Sequence, residues 1–255
     1  MRNLKTILAA CGSVLAIALT CASPARAAAS PAIIGGTQAT VPYSFMVSIQ
    51  DAETHFCGGS LVSPTWVVTA WHCVDGHVPA DLRLRVGGLK WATEGKARGV
   101  AEIVRHPQGS GTENDIALLK LDQPVTNTPV RIGARPADGT PDRLIGWGCT
   151  TPGQAFCTPP DSLRQLDSAI RPATLCDSPN APDPAKEFCT GNPATQTGPC
   201  RGDSGGPLLI AGPAGWRLIG AFSRMNEIFC SDGKGIYTDV TAHRPWIETI
   251  TGPLP

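Results

Sequence analysis

Glycine or proline interrupts this chain so often that a long helix has nowhere to form. Twenty-eight glycines and twenty-four prolines are spread over 255 residues. Proline removes a backbone donor and glycine resists a fixed conformation, so both act as punctuation. Between them lie short runs of β-branched and apolar residues. Residues 44–50 alternate apolar with polar side chains, the period of a half-buried strand. Segments 66–70, 82–86, 99–104 and 116–121 read the same way. A second set follows at 143–146, 163–170, 207–210, 216–223 and 236–239. Many short strands between turn signals predict an all-β protein, a sandwich or a barrel. One helix is predicted, over about 242–250, with Thr241 as its cap and Pro245 in its first turn.

The amino terminus reads as an export signal. Arg2 and Lys5 precede a mostly apolar run over 7–20, too short to span a bilayer as a helix. Ala25-Arg26-Ala27 offers small residues at the two positions a signal peptidase reads. Residues 1–27 are therefore expected to be a signal peptide and 28–32 a short pro-segment, giving a secreted protein with no membrane attachment. Removing both leaves 255 − 32 = 223 residues, enough for two tightly packed halves. Twenty-one basic residues balance twenty-one acidic ones, which argues against a nucleic-acid footprint or a polybasic membrane surface.

Ten cysteines become eight once Cys11 and Cys21 leave with the signal. An even number in an exported chain predicts disulfides, though eight cysteines allow on the order of a hundred pairings. Spacing alone does not choose among them. A rival use, zinc held by His55, Cys57, His72 and Cys73, lacks a paired Cys-x-x-Cys knuckle, and neither metal nor cofactor is expected.

The chemistry concentrates in three motifs. Gly202-Asp203-Ser204-Gly205-Gly206-Pro207 places a serine between glycines that permit a sharp turn. A serine hydroxyl is a weak nucleophile until a neighbour takes its proton. Thr69-Ala70-Trp71-His72-Cys73 supplies a candidate base, and Asn114-Asp115-Ile116-Ala117-Leu118-Leu119 a carboxylate to orient it. A buried carboxylate is rare without a partner, which favours a role for Asp115. His55, His77 and His106 lie in turn-like segments, and His243 at the start of the terminal helix; none needs a catalytic role. Trp66, Trp71, Trp147 and Trp246 read as core residues.

Together with Ile33-Ile34-Gly35-Gly36, these motifs resemble the chymotrypsin/trypsin family of serine proteases, over about residues 33–250. The resemblance implies two six-stranded antiparallel β-barrels, about 33–130 and 131–240, with the boundary near 124–135 and the site in the cleft between them. It implies Ser204 as nucleophile, His72 as general base and acid, and Asp115 as the group that holds the imidazole. It also implies an oxyanion hole from the backbone N–H groups of Gly202 and Ser204. The freed amine of Ile33 would pair with Asp203. The implied disulfides are Cys57–Cys73, Cys176–Cys189 and Cys200–Cys230, which leaves Cys149 and Cys157 to close a local loop. Partners would be polypeptide substrates and protein protease inhibitors, met by a monomer.

The specificity pocket departs from the family pattern. It is expected to involve Gly198, Pro199, Ser223, Arg224, Met225 and Gly235. Gly198 stands where trypsin-like members carry an aspartate that binds Lys or Arg, and Arg224 and Arg201 add positive charge nearby. A requirement for Lys or Arg before the scissile bond is therefore not expected, and an apolar or small residue is. Asp232 is the one acid near enough in sequence to restore a basic preference. Gly88 stands where calcium-binding relatives have a carboxylate, so no calcium loop is expected. Two other functions remain open. In an esterase of the α/β-hydrolase class the order Ser204, then Asp232 or Asp239, then His243 would apply, although no strand–helix alternation precedes Ser204. A non-catalytic protease-like binding protein usually lacks a triad member, and this chain keeps all three.

Overall fold

A computed structural model describes residues 33–153, 157–176, 181–227 and 229–255. The expected signal peptide and pro-segment lie outside the described residues. In chain order the strands are β1 (Thr37–Gln38), β2 (Met46–Asp51), β3 (Thr54–Ser63), β4 (Trp66–Thr69), β5 (Leu82–Val86), β6 (Lys96–Arg105) and β7 (Ala117–Leu121). They continue with β8 (Arg131–Ile132), β9 (Pro141–Gly146), β10 (Arg164–Arg171), β11 (Glu187–Gly191), β12 (Pro207–Gly212), β13 (Gly215–Met225) and β14 (Lys234–Asp239), before helix α1 (Arg244–Thr251).

Two closed barrels result. The first runs β2-β3-β4-β7-β6-β5, and the β2–β5 pairing closes it. The second runs β10-β11-β14-β13-β12-β9, closed by pairing of β9 with β10. All pairings within both rings are antiparallel. Closure removes the exposed edges of a sheet, and bulges supply the bending it requires. One bulge, between Phe222 and Arg224 on β13, takes Ser223 out of the ladder. β1 is added to β10, and β8 runs parallel to β13 within the stretch read as the boundary between halves.

Each barrel closes on an apolar filling, and that of the first continues into Ile145, Leu209 and Leu218 of the second. Met46, Ile49, Leu61, Leu82, Leu84 and Leu118 are fully buried in the first. Leu144, Phe188, Leu208, Ile219, Phe222 and Tyr237 pack in the second, joined by Ile33. Burying one such side chain stabilises the fold by about 1.5–3 kcal/mol relative to exposure. The two barrels share a seam, because Gly58 on β3 donates its N–H to Ser204 O at 2.6 Å.

Some strands were not legible in the chain. β3 reads as a turn because it contains Gly58 and Gly59. Those glycines instead admit close neighbours: a Cβ on Gly58 would lie 2.9 Å from Gly206 Cα, and one on Gly59 2.8 Å from Val67 Cγ1. β11 and the two-residue strands β1 and β8 also escaped prediction. The cap of α1 is His243 rather than Thr241. Asp239 explains the shift, since its carboxylate accepts the backbone N–H and the hydroxyl of Thr241, at 2.7 and 2.6 Å.

Candidate active site

His72 opens a single 3-10 turn (His72–Val74) just after β4, tied to β3 by the Cys57–Cys73 disulfide. Asp115 sits just before β7 and is fully buried. The two meet at one end of the paired strands β4 and β7, where Thr69 lies opposite Ala117. Asp115 Oδ1 accepts the backbone N–H of His72 at 2.9 Å, and Oδ2 lies 2.8 Å from His72 Nδ1. Ser223, freed from the ladder by the bulge, donates its hydroxyl to the same Oδ2 at 2.6 Å. Thr238 holds the backbone of Asp115 by donating to its carbonyl at 2.9 Å. With the carboxylate accepting throughout, the imidazole proton rests on Nδ1 and Nε2 keeps a lone pair.

Ser204 lies in the loop before β12, which the Cys200–Cys230 disulfide anchors. Its hydroxyl and the His72 ring border one cavity of about 350 Å³, without a hydrogen bond between them in this structure. The turn needs glycine on both sides of the nucleophile. Gly202 has φ of +92° and Gly205 +73°, and a Cβ on Gly205 would fall 2.2 Å from Thr69 Oγ1. Two peptide planes then fix the loop. Arg201 O accepts from Cys149 N at 2.7 Å, which points the Gly202 N–H the opposite way across a trans peptide. Asp203 O accepts from Gly206 N at 2.8 Å, and so orients the Ser204 N–H. Among the described residues neither of these two N–H groups has an acceptor. A paired, unsatisfied set of donors beside a hydroxyl is what a developing oxyanion would occupy.

The sequence places His55 in a turn-like segment without a role, and the structure corrects this. It stands on β3, almost wholly buried. Its Nε2 lies 2.9 Å from Gly202 O, a group that can only accept, so Nε2 carries the proton. Its Nδ1 meets Ser48 Oγ at 2.9 Å, and Gln50 donates to the same hydroxyl at 3.2 Å. Burial lowers the His55 pKa to about 4, against a smaller opposing pull from the Gly202 carbonyl, and the ring stays neutral. Alternation at 44–50 does place Ser48 and Gln50 on one face. Nothing local signals that His55 reaches a carbonyl 147 residues away.

Asp203 turns away from the cavity into the second barrel. Its oxygens accept the N–H groups of Gly148 and Cys200 at 2.8 and 2.9 Å. Burial raises its pKa to about 7, with the two backbone donors opposing the shift. Ile33 is fully buried in the apolar cluster of that barrel, and its φ of +44° is strained for a β-branched residue.

The expected pocket residues divide. Ser223, Arg224 and Met225 border the cavity with Phe222 and Arg201. Gly198, Pro199 and Gly235 lie behind its wall. A Cβ on Gly235 would come 2.3 Å from Pro199 Cγ and 3.2 Å from Phe222 Cε2, so the proline ring packs directly against this glycine. Arg224 is not the loose positive charge that the sequence suggests: Glu187 binds it at 2.5 and 3.0 Å. Asp232 receives Asn226 at 2.8 Å and Lys234 at 3.4 Å and does not border the cavity.

The rival constellations dissolve. His243 sits on the Asp239 carbonyl at 2.8 Å and near Asn114 Oδ1 at 3.2 Å, while the Asp239 carboxylate holds Arg135 and Thr241. The esterase order therefore has no shared site. Cys57 and Cys73 are joined to each other, which removes both thiolates from any zinc site with His72. The remaining disulfides are Cys149–Cys157 and Cys176–Cys189.

A family model described as Trypsin matches residues 33–247. The chain is similar to a trypsin of Phaedon cochleariae, 37% identical over 86% of this chain and 88% of the relative. Hypodermin-B of Hypoderma lineatum is 34% identical over 84% of this chain and 86% of its own length. Granzyme M of Homo sapiens is 32% identical, with 86% and 89% covered.

Proposed function

The chain belongs to the trypsin family of serine endopeptidases, and on that premise we propose that it is an exported enzyme that hydrolyses peptide bonds through Ser204, His72 and Asp115. The observation that carries this reading is one carboxylate, Asp115, shared by the His72 imidazole and Ser223, on a cavity that His72 borders together with Gly202 and Ser204, whose backbone donors have no acceptor among the described residues. In the proposed cycle His72 Nε2 takes the Ser204 proton as the hydroxyl attacks the scissile carbonyl. The Gly202 and Ser204 N–H groups receive the oxyanion. The imidazolium then gives its proton to the leaving amine, and water repeats the sequence on the acyl-enzyme. Asp115 keeps the ring in the productive tautomer and balances its transient charge.

Activation follows from Ile33 and Asp203. Cleavage before Ile33 would release the strained φ at that residue and create an ammonium to pair with Asp203, a carboxyl that is costly to ionise alone. Ala32 precedes the cut, so the activating enzyme is not trypsin-like, or signal peptidase itself cuts there. Cleavage of substrates does not require Lys or Arg, because Gly198 supplies no anion and no described acidic residue borders the cavity. A small or apolar side chain suits the space beside Phe222 and Met225.

The test is substitution. Ser204→Ala and His72→Ala are each expected to abolish peptide hydrolysis by several orders of magnitude while the fold survives. Inactivity of His243→Ala together with full activity of His72→Ala would overturn the assignment.

A further inference from the structure

The cleft wall carries two arginines, and they differ in what they meet. Arg224 is neutralised by Glu187, itself buried. Arg201 has no such partner. Among the described residues no carboxylate, carbonyl or hydroxyl accepts from its guanidinium, and its Nε is buried without a hydrogen-bond partner. The nearest acid in sequence, Asp203, is turned away and occupied by Gly148 and Cys200. The other acid of the site, Asp115, is fully buried and taken by His72 and Ser223. No described acidic residue borders the cavity at all. Arg201 therefore places one uncompensated positive charge beside Ser204, directly before the residue whose N–H faces the oxyanion position.

A half-buried guanidinium with an unmet donor costs free energy in the empty enzyme, and a substrate carboxylate would recover it. The planar fork of arginine matches a carboxylate through two parallel hydrogen bonds, and such charge-assisted bonds are strong where water is partly excluded. We propose that Arg201 is a specificity-determining residue that selects substrates bearing an acidic side chain within two residues of the scissile bond. This rests on the endopeptidase reading above and deepens it. The small or apolar residue occupies the shallow space beside Phe222 and Met225, and the neighbouring acidic side chain reaches Arg201 at its rim.

The experiment uses the processed enzyme and its Arg201→Ala, Arg201→Lys and Arg201→Glu variants. Active sites are first counted by covalent phosphonylation of Ser204. Each enzyme is then assayed on a quenched fluorescent peptide series in which Glu, Gln or Lys is scanned through the two positions on either side of the bond. Wild type is expected to favour Glu over Gln in kcat/KM by at least about tenfold at one position, the scale of a charge-assisted hydrogen bond. That ratio should fall to about one in Arg201→Ala, remain partly in Arg201→Lys and reverse toward Lys in Arg201→Glu. A Glu-to-Gln ratio near one in wild type, or an unchanged ratio in Arg201→Ala, would overturn the proposal while leaving the endopeptidase reading intact. Absence of phosphonylation would overturn both.

Discussion

Replacing His55 by Phe tests whether the oxyanion turn is held from behind by the first barrel. Phenylalanine keeps the ring that packs edge-on against Trp147, at 5.3 Å between centroids, and deletes both nitrogens. Gly202 O then loses its donor, while Ser48 keeps Gln50. One buried carbonyl left unpaired costs about 1–3 kcal/mol, so stability near neutral pH should fall by roughly 2 kcal/mol. Freed at its carbonyl, Gly202 can rotate its N–H off the oxyanion position. Full loss of such a donor costs about a hundredfold to a thousandfold in kcat, and a tenfold loss or more is expected with KM little changed. His55→Gln retains an N–H donor and should recover part of that loss.

A pH arm separates this reading from a packing defect. His55 titrates near 4 in the fold against an ordinary value of 6.5, so between these values the unfolded chain holds the extra proton. Stability therefore drains away through His55 as pH falls from about 6.5 to about 4, by on the order of 3 kcal/mol. The difference in unfolding free energy between wild type and His55→Phe should shrink across that window, whatever other groups contribute to both proteins. A variant with kcat within about twofold of wild type per phosphonylated site, or a stability difference independent of pH, would refute the argument.

Other consequences follow from the same geometry. In the form still carrying residues before Ile33, Asp203 stays protonated up to about pH 7 although its ordinary pKa is 3.8. That form should lose stability as pH rises from about 4 to about 7, and the gap to the processed form, measured by urea unfolding on a Ser204→Ala background, should widen over the same range. Acetylating the Ile33 amine of the processed enzyme should depress activity, and full activity with 28–32 attached would sink the activation scheme. Ser223→Ala removes the 2.6 Å donor to the buried Asp115 and should lower kcat about tenfold and stability by about 1–3 kcal/mol, read by steady-state kinetics and calorimetry. Gly205→Ala forces a Cβ between Thr69 Oγ1 and Gly58 O at positive φ, and should cost about 2–5 kcal/mol in chemical denaturation.

How far the chain spoke for itself follows from the range of each interaction. Strand periodicity is local, so segments such as 82–86 and 116–121 were visible as pattern. The Ser204, His72 and Asp115 motifs were visible because each is a short contiguous run and together they resemble those of one family, with Gly202 and Gly205 supplying the positive φ of the serine turn. β3 was missed because its glycines answer to Gly206 in the loop before β12 and to Val67 on β4. His55 was missed for the same reason, since its partner carbonyl belongs to the other barrel. Arg224 and Arg201 look alike in sequence, yet only the fold brings Glu187 to one of them. The packing of Pro199 against Gly235 on β14, too, is a contact between residues 36 positions apart. Residue type and local spacing determined which groups are available for chemistry. The closing of two barrels determined which are neutralised, which are oriented and which are left open to substrate, because charge and hydrogen-bond balance is settled by distance in space.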